Sequence, residues 1–361
     1  MLPCSALGTE PGDRVLDLCA SPGGKSLQAA AALDGKGFLV SNDLNSSRMT
    51  PLIRNIELAG IENCAVTNET PDRLALRLGD YFDKIIIDTP CSGEGMFRKD
   101  PDAALAWDKS KSERLSRIQY GLLENAGKML KPGGKMVYST CTFAPEENEL
   151  LIQRFLDENA GFETVPVDHD GLGVSQARTD WAAFDGRLGN AARIFPHIHK
   201  GEGHFAAVIK KSEEGKVKSE GRKGHCYETA GKDDIELFNE AVGNCLTHPI
   251  EKTVYKHKDT LFIPPDGMPD LRGLRIYRAG LSLGTVRNKR FIPSHAFALS
   301  LNKDTYTRVI DYKCGDVGLD RFLRGEAYET DAVDGYNLIC ADGYSVGMGK
   351  VGGGRLKWRT K

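Results

Sequence analysis

Short apolar runs alternate with amphipathic segments along about the first 200 residues of the chain. The runs have the length of buried strands and predict five of them, at 14–19, 38–43, 64–67, 85–88 and 136–141. Apolar positions at helical spacing predict helices at 25–33, 47–58 and 112–130, and another that begins at Pro145. Strands and helices in alternation predict an α/β fold, with a mostly parallel, doubly wound sheet and helices on both faces.

The alternation stops at a stretch of charge and glycine. Residues 212–224 lack apolar periodicity, which is typical of a linker. We therefore predict a first domain over residues 1–211, a small α+β segment over 225–273 and a β-rich module over 274–361. In that module short strands and glycine turns dominate, with one helix start at Pro293 and Ser294.

Composition indicates an ordinary soluble protein. The 361 residues, 27% of them charged and 40% hydrophobic, are enough for two or three domains with real cores. A net charge of −2 gives no overall cationic field. Nine cysteines without C-x-x-C spacing favour reduced thiols over a disulfide framework or a zinc ribbon. No apolar run has membrane-spanning length and no signal peptide opens the chain, so we expect a cytoplasmic monomer with no membrane partner.

A glycine-rich turn joins the first predicted strand to the first predicted helix. It consists of Cys19, Ala20, Ser21, Pro22, Gly23, Gly24 and Lys25. Such a turn presents backbone N–H groups to a ligand. A phosphate-binding P-loop would require glycine at Cys19, and the G-x-G-x-x-G pattern of dinucleotide sites is absent. S-adenosylmethionine remains, and it needs an acid at the end of the second strand for its ribose, where Asp43 lies. The alternative role for Asp43 is to cap a helix near Ser46 and Ser47.

Two cysteines follow the fourth and fifth predicted strands. Cys91 lies in the sequence TPCSGEG and Cys141 in STCT. The carboxyl ends of neighbouring parallel strands surround one crevice, so we expect the two thiols to meet there. Paired thiols beside a bound ligand indicate covalent catalysis, with one nucleophile and one helper, although buried structural cysteines are the alternative. Spacing alone does not decide which thiol attacks.

The segments DLCASPGGKS, IIIDTPCSGEGMFRKDP and KPGGKMVYSTCTFAPEENE closely resemble successive motifs of the NOL1/NOP2/Sun (NSUN) RNA cytosine-5 methyltransferases, most of all the bacterial RsmF type. The resemblance covers residues 1–211, and 274–280 and 353–357 are similar to a PUA-like RNA-binding domain. It implies a Rossmann-like domain that methylates carbon 5 of a cytosine in RNA, in 16S ribosomal RNA above all. The same reaction on tRNA, or a non-catalytic role in ribosome assembly, remain alternatives.

The resemblance also implies roles for individual residues. Carbon 5 of cytosine is a weak nucleophile until a thiolate adds to carbon 6, and the family assigns that attack to Cys141 and help in product release to Cys91. Asp88 would contact the base edge and the cofactor. The loop from Cys19 to Lys25 and Asp43 would bind S-adenosylmethionine. The position aligned with the family's adenine-contacting acid is Thr70, with Asn68 or Glu69 as alternatives. Family members usually carry an N-terminal RNA-binding subdomain, which the resemblance predicts to be missing here.

Basic residues indicate where RNA would bind. Arg98 and Lys99, directly after the first cysteine motif, suit a substrate phosphate, with a solvated loop as the alternative. Two further clusters suit an RNA footprint: Arg272, Arg275, Arg278, Arg287, Lys289 and Arg290, then Lys350, Arg355, Lys357, Arg359 and Lys361 around Trp358. We expect no metal site at His197, His199 and His204, which lack a fourth ligand. Trp107 and Trp181 are expected to be packing residues.

Overall fold

The computed structural model describes residues 2–99, 101–105, 107–183, 185–214 and 227–358. The chain folds into two compact units. The first contains Met1–Leu52, Val66–Gly224 and Pro269–Tyr277, and the second contains Ile53–Ala65, His225–Met268 and Arg278–Lys361. Neither unit is therefore one continuous stretch of sequence.

A mixed sheet forms the centre of the first unit. Its strands are β1 Arg14–Asp17, β2 Phe38–Asn42, β3 Cys64–Thr67, β4 Phe82–Asp88, β5 Leu130–Thr140, β6 Phe162–Val165, β7 Ser175–Gln176, β8 Ala192–Ile194 and β9 His204–Lys211. They lie in the order β3-β2-β1-β4-β5-β9-β8-β7, and β6 also pairs with β9. β1 is parallel to β2 and β4, and β4 to β5, which confirms the Rossmann-like prediction. β9 is antiparallel to β5, β6 and β8, a feature that the sequence analysis did not predict.

Eight helices are described in this part of the chain, and the second, third, sixth and seventh of them lie at predicted places. They are α1 Leu2–Leu7, α2 Gly24–Leu33, α3 Met49–Leu58, α4 Pro71–Arg77, α5 Pro101–Leu105, α6 Lys109–Met129, α7 Glu149–Glu158 and α8 His169–Leu172. The Asp108 side chain caps α6 by accepting the Lys111 N–H at 3.0 Å. α6 ends at Met129, before Lys131-Pro132-Gly133-Gly134 as predicted, but the chain enters β5 at once at Leu130. An irregularity in the pairing with β4 accommodates the extra residues of that turn.

The C-terminal part of the chain is rich in strands, as predicted. Its elements are β10 Glu228–Thr229, α9 Lys232–Ala241, β11 Tyr255–His257, β12 Thr260–Ile263, β13 Ile276–Ala279, β14 Leu281–Arg287, β15 Arg290–Pro293, α10 His295–Ser300, β16 Val309–Tyr312, α11 Val317–Leu323, β17 Tyr328–Glu329, β18 Gly335–Ala341, β19 Tyr344–Gly352 and β20 Arg355–Trp358. Ser294 caps α10 through the Phe297 N–H at 3.0 Å, which confirms the predicted helix start.

Two five-stranded sheets organise the second unit. One has the order β10-β11-β12-β14-β15 and the other β16-β18-β19-β20-β17. One apolar core surrounds Phe238, Leu283 and Tyr306, and a smaller one surrounds Phe322 and Leu356. The domain boundaries at 211, 224 and 273 stay predictions, and most of the linker at 212–224 lies outside the described residues. Within the described residues, no helix is both long and apolar enough to span a membrane.

Candidate functional site

The loop between β1 and α2 forms a tight turn against the end of β2. The Ala20 N–H donates to the Asn42 carbonyl at 2.8 Å, and the Gly23 N–H donates to the Ala20 carbonyl at 2.7 Å. Gly23 precedes the first residue of α2 with φ at 113°, a conformation that glycine adopts without steric strain. The turn therefore keeps residues 19–25 close to the carboxyl end of the sheet.

Asp43 braces this loop at the end of β2. The residue is 4% exposed, and its two side-chain oxygens accept the Ser21 N–H at 3.1 Å and the Asn45 N–H at 2.9 Å. Arg48 lies 3.7 Å from the same carboxylate. The short 3-10 helix Ser46–Arg48 is capped by Asn45, so the helix-capping role considered for Asp43 is filled by Asn45.

Two cavities flank the loop. The larger, of about 580 Å³, is lined by Leu18, Cys19, Ser21, Asn42, Asp43, Leu44, Asn45, Arg48, Pro71, Asp72, Asp88, Thr89, Pro90, Ile118, Gly121, Leu122 and Asn125. The smaller, of about 330 Å³, is lined by Asp17, Cys19, Ala20, Ser21, Pro22, Gly24, Lys25, Gln28 and Asp88. Cys19, Ser21 and Asp88 line both cavities. The predicted cofactor loop, Asp43 and Asp88 are thus brought together around a volume suitable for a small ligand.

The segment after β3 lines the larger cavity with other residues than the sequence predicts. Thr70 is not among the residues that line the larger cavity, since its hydroxyl caps α4 by accepting the Arg73 N–H at 3.4 Å. The alternatives Asn68 and Glu69 are also engaged elsewhere, because Asn68 donates to the Asp43 and Leu44 carbonyls and Glu69 is fully buried.

Asp72 supplies the carboxylate on this wall instead. It lines the larger cavity and accepts a hydrogen bond from Asn125 Nδ2 at 3.0 Å. The sequence analysis missed this residue by two positions. Thr-Pro-Asp is a favourable start for a helix, with threonine as the cap and the acid in the first turn, but this pattern does not indicate that the acid lines a cavity.

Asp17, at the end of β1, is a second acid that the sequence analysis missed. It lines the smaller cavity and is fully buried. Ser26 donates to its Oδ2 at 2.7 Å, whereas its Oδ1 has no hydrogen-bond partner among the residues that the structure describes. Burial raises the pKa of Asp17 to about 7, and the nearby Asp88 carboxylate adds to the rise. Such a buried, unsatisfied carboxylate favours a cationic ligand group.

The two predicted thiols do meet. Cys91 Sγ and Cys141 Sγ lie 3.2 Å apart, and both cysteines are free. A hydrogen bond from Cys91 lowers the pKa of the Cys141 thiol, and the same interaction together with burial raises the pKa of Cys91. The Cys141 N–H donates to Cys91 Sγ at 3.3 Å, which acts in the opposite sense. The net effect favours Cys141 as the thiolate, which is the nucleophilic form.

Asp88 lies at the end of β4, next to the thiols. Lys25 Nζ donates to its Oδ2 at 2.6 Å, and Ser139 Oγ donates to its Oδ1 at 2.7 Å. The Asp88 side chain keeps 32% of its surface exposed and lines both cavities. This carboxylate is therefore oriented by two partners while remaining accessible to a ligand.

Buried polar residues lock the loops that carry the two thiols. Glu147, at 0% exposure, accepts the Ser92 N–H at 3.0 Å and Gln119 Nε2 at 2.8 Å. Glu94 accepts the Thr142 hydroxyl and the Phe143 N–H, both at 3.0 Å. Each acid of this network joins the two cysteine loops or attaches one of them to α6, so the spacing of the thiols is set by the scaffold.

The predicted RNA-contacting residues lie on the surface. Arg98 is 64% exposed, with a 3.2 Å ion pair to Glu202, and Lys99 is also exposed. The basic cluster at 272–290 is less cationic than its sequence indicates, since Arg278 is buried and Arg272, Arg275 and Arg287 pair with acids. Lys289, Arg290, Lys350, Arg355 and Lys357 are exposed, and Arg359 and Lys361 lie outside the described residues.

Two further expectations concern the histidines as metal ligands and the tryptophans as packing residues. No group of three or more His, Cys, Asp or Glu side chains is placed to hold a metal ion within the described ranges. Trp181 is flanked by the guanidinium groups of Arg178 and Arg193, each 4.8 Å from its ring centre. Trp181 is therefore a packing residue, as predicted, and Trp107 is 37% exposed.

Comparison with protein families assigns nearly the whole chain. Residues 4–210 match the family model for 16S rRNA methyltransferase RsmB/F. Residues 238–301 match the first C-terminal domain of RsmF rRNA methyltransferase, and 315–359 match the methyltransferase RsmF PUA domain.

Individual relatives agree with these matches. The ribosomal RNA small subunit methyltransferase F of Vibrio vulnificus is 30% identical over 99% of this chain and 75% of its own length. The protein of the same name from Vibrio parahaemolyticus is 32% identical over 99% of this chain and 76% of its own length. The crystal structure of NSun6 from Pyrococcus horikoshii with SFG has a TM-score of 0.51 and 26% identity, covering 58% of this chain and 50% of that one.

Proposed function

Because the chain belongs to the RsmB/F family of 16S rRNA methyltransferases, we propose that it transfers the methyl group of S-adenosylmethionine to carbon 5 of a cytosine in small-subunit ribosomal RNA. The observation that carries this proposal is the pair of thiols, 3.2 Å apart, at the ends of two neighbouring parallel strands. The thiols lie beside Asp88, which also lines both cavities.

The residues around the cavities fit S-adenosylmethionine. The unsatisfied Oδ1 of Asp17 suits the ammonium group of the methionine part. On the other side of the loop, Asp43 would accept the ribose hydroxyls and Asp72 the adenine amino group, in place of Thr70. When bound, the cofactor supplies an electrophilic methyl group on a sulfonium sulfur. Residues 19–25 would hold the cofactor between Asp17 and Asp43.

The thiols divide the work on the cytosine. Cys141 Sγ adds to carbon 6, and the electron pair displaced from the double bond makes carbon 5 nucleophilic enough to take the methyl group. Release requires a base to take the carbon-5 proton. The electron pair of that C–H bond re-forms the double bond as the bond between carbon 6 and sulfur breaks, and the electron pair of the broken bond returns to Cys141. Cys91 lies beside that bond and assists release. Asp88, held by Lys25 and Ser139, would contact the edge of the base.

The substrate must present an unpaired base, since carbon 5 and carbon 6 of a stacked cytosine are out of reach. Arg98 and Lys99, exposed after the Cys91 loop, would contact phosphates of the flanking strand. The PUA match at residues 315–359 supports further RNA contacts. These contacts would position the strand, whereas Cys141 and Asp88 would act on the base.

Methyl transfer from labelled S-adenosylmethionine to small ribosomal subunits, naked ribosomal RNA and tRNA tests this proposal. Cys141→Ala should abolish transfer, by at least about a thousandfold, because no other described thiol occupies its place. Cys91→Ala should leave a protein–RNA adduct that survives denaturation. Cys314→Ala, an exposed free thiol, is the matched control and should behave as wild type.

The possible results separate the alternatives. If the methyl group were transferred to tRNA alone, tRNA would replace ribosomal RNA as the proposed substrate. The proposed mechanism of cytosine methylation would not change. Full activity in Cys141→Ala, or an adduct formed by that variant, would reverse the roles of the thiols. A folded, cofactor-binding wild type that methylates none of the three RNAs would favour a role in ribosome assembly.

A further inference from the structure

His204 begins β9 directly beside the catalytic pair. In the antiparallel register of β5 and β9, Ser139 pairs with Ala206 and Thr140 with Phe205. Continued by one residue, this register places His204 opposite Cys141. Residues two apart on a strand share a face, so His204 lies on the face of Ala206 and therefore of Ser139. Ser139 Oγ bonds Asp88 on that same face.

The surroundings of His204 determine the protonation state of its ring. The strand register places His204 on the face that carries Ser139 and, through it, Asp88. The pKa of His204 is lowered to about 4, chiefly by burial and also by Lys25, while Asp88 opposes the shift. The ring is therefore neutral at the pH of a cell.

A buried ring nitrogen of His204 is left without a partner. Its Nε2 is inaccessible to solvent and makes no hydrogen bond in the part of the chain that the structure describes. Leaving such an atom unpaired is energetically costly, and folded proteins rarely do so without a reason. Since the protein does not satisfy this atom, a bound ligand on this face would.

The geometry points to the target cytidine as that ligand. His204 directly precedes Phe205 and Cys141 directly follows Thr140, and Phe205 and Thr140 are the last pair of the ladder between β9 and β5, so a nucleotide bonded to Cys141 Sγ lies near the His204 side chain. We infer that His204 Nε2 hydrogen-bonds a polar group of the target cytidine and holds it against Cys141. This role rests on the proposed function and makes His204 a substrate-positioning residue.

Two isosteric variants test the role of Nε2. The amide of His204→Gln reaches the Nε2 position, whereas that of His204→Asn overlaps Nδ1. With small ribosomal subunits as substrate, His204→Asn should lower kcat/KM for RNA about tenfold, the effect of one lost neutral hydrogen bond. His204→Gln should stay within about threefold of wild type, and the KM for S-adenosylmethionine should not change in either. His197→Asn, at an exposed histidine, is the matched control.

A purely structural role would give a different pattern. Because Nε2 bonds nothing in the described residues, neither variant should lower the melting temperature of the free protein below that of wild type by more than the control does. Equal kcat/KM in His204→Asn and wild type, or equal losses in His204→Asn and His204→Gln, would overturn the inference. The proposed function would stand in either case, provided that the wild type transfers the methyl group. Absence of transfer by the wild type would overturn both.

Discussion

One hydrogen bond makes the two neighbouring thiols chemically unequal. Cys91 and Cys141 have the same side chain and lie 3.2 Å apart, yet the pKa of Cys141 is lowered and that of Cys91 is raised. The negative charge is favoured on Cys141 because its thiolate can accept a hydrogen bond from the Cys91 thiol and Lys25 lies nearby, although burial and Asp88 oppose ionisation. The thiol proposed to attack carbon 6 is thus the one that ionises more readily.

This inequality predicts how the pH dependence of alkylation changes on mutation. In the wild type, Cys141 should react with iodoacetamide with a midpoint below that of an ordinary cysteine. In Cys91→Ala the midpoint should rise by about one pH unit, because a hydrogen bond of about 1.4 kcal/mol to the thiolate is lost. Peptide mass spectrometry across pH 6–10 (about the usable range) measures it. An unchanged midpoint would show that Cys91 does not stabilise the thiolate.

Residues near the site differ in how far the sequence reveals them. The two cysteines and Asp43 come after strands, so the order of elements was enough to place them together, whereas Asp88, the last residue of β4, was assigned through the family resemblance. Asp72 and Asp17 were not predicted, because lining a cavity depends on packing between segments distant in sequence. His204 was considered only as a metal ligand, since its place opposite Cys141 depends on antiparallel pairing that no local pattern signals.

At the scale of elements, the active-site loops are held together by close backbone contacts. The Gly95 N–H donates to the Cys141 carbonyl at 2.8 Å, and the Gly203 N–H donates to the Gly95 carbonyl at 3.2 Å. A Cβ on Gly95 would lie 2.6 Å from the Gly203 oxygen and 2.7 Å from the Cys141 oxygen. The loops after β4 and β5 and the start of β9 therefore fit only with glycine at position 95.

Gly95→Ala should accordingly separate these loops and shift Cys141. We expect a loss of about a hundredfold in kcat, the effect of an error of about 1 Å in a reacting group. Cofactor affinity, measured by calorimetric titration, should stay near that of wild type because residue 95 lines neither cavity. Gly161→Ala is the control, since a Cβ there meets nothing within 4 Å. Wild-type kcat in Gly95→Ala would show that the loops adapt to the methyl group.

The elements themselves were largely predictable up to β5 and less so beyond it. Periodicity located β1 to β4 and the helices α2, α3 and α6 to within a few residues, because each segment carries its own apolar pattern, but it did not predict α4 or the early start of β5 at Leu130. The antiparallel strands β6 to β9 are short or irregular in pattern, and their pairing partners lie up to about 80 residues away, beyond the reach of local signals. The glycines and proline after α6 were correctly predicted to end the helix but also form the irregular start of β5.

At the scale of the whole molecule, each compact unit has its own buried apolar core. We therefore expect each unit to unfold in a separate transition. The first unit is built on the sheet that carries the loop, Asp43 and the thiols, with Val15, Leu16, Ile85 and Val137 fully buried. The second has its own clusters around Phe238 and Phe322. The residues proposed to bind the cofactor all belong to the first unit.

Scanning calorimetry should therefore show two transitions, of which only one responds to a cofactor analogue. At a hundredfold excess over its Kd, S-adenosylhomocysteine should stabilise the first unit by about 2.7 kcal/mol, which raises its midpoint by roughly 5–10 °C. The other transition should not move. Asp43→Ala should remove most of the shift, because it deletes the acceptor proposed for the ribose and the brace at Ser21. A single transition that moves as a whole would mean that the units unfold together, and a shift that survives in Asp43→Ala would place the ribose elsewhere.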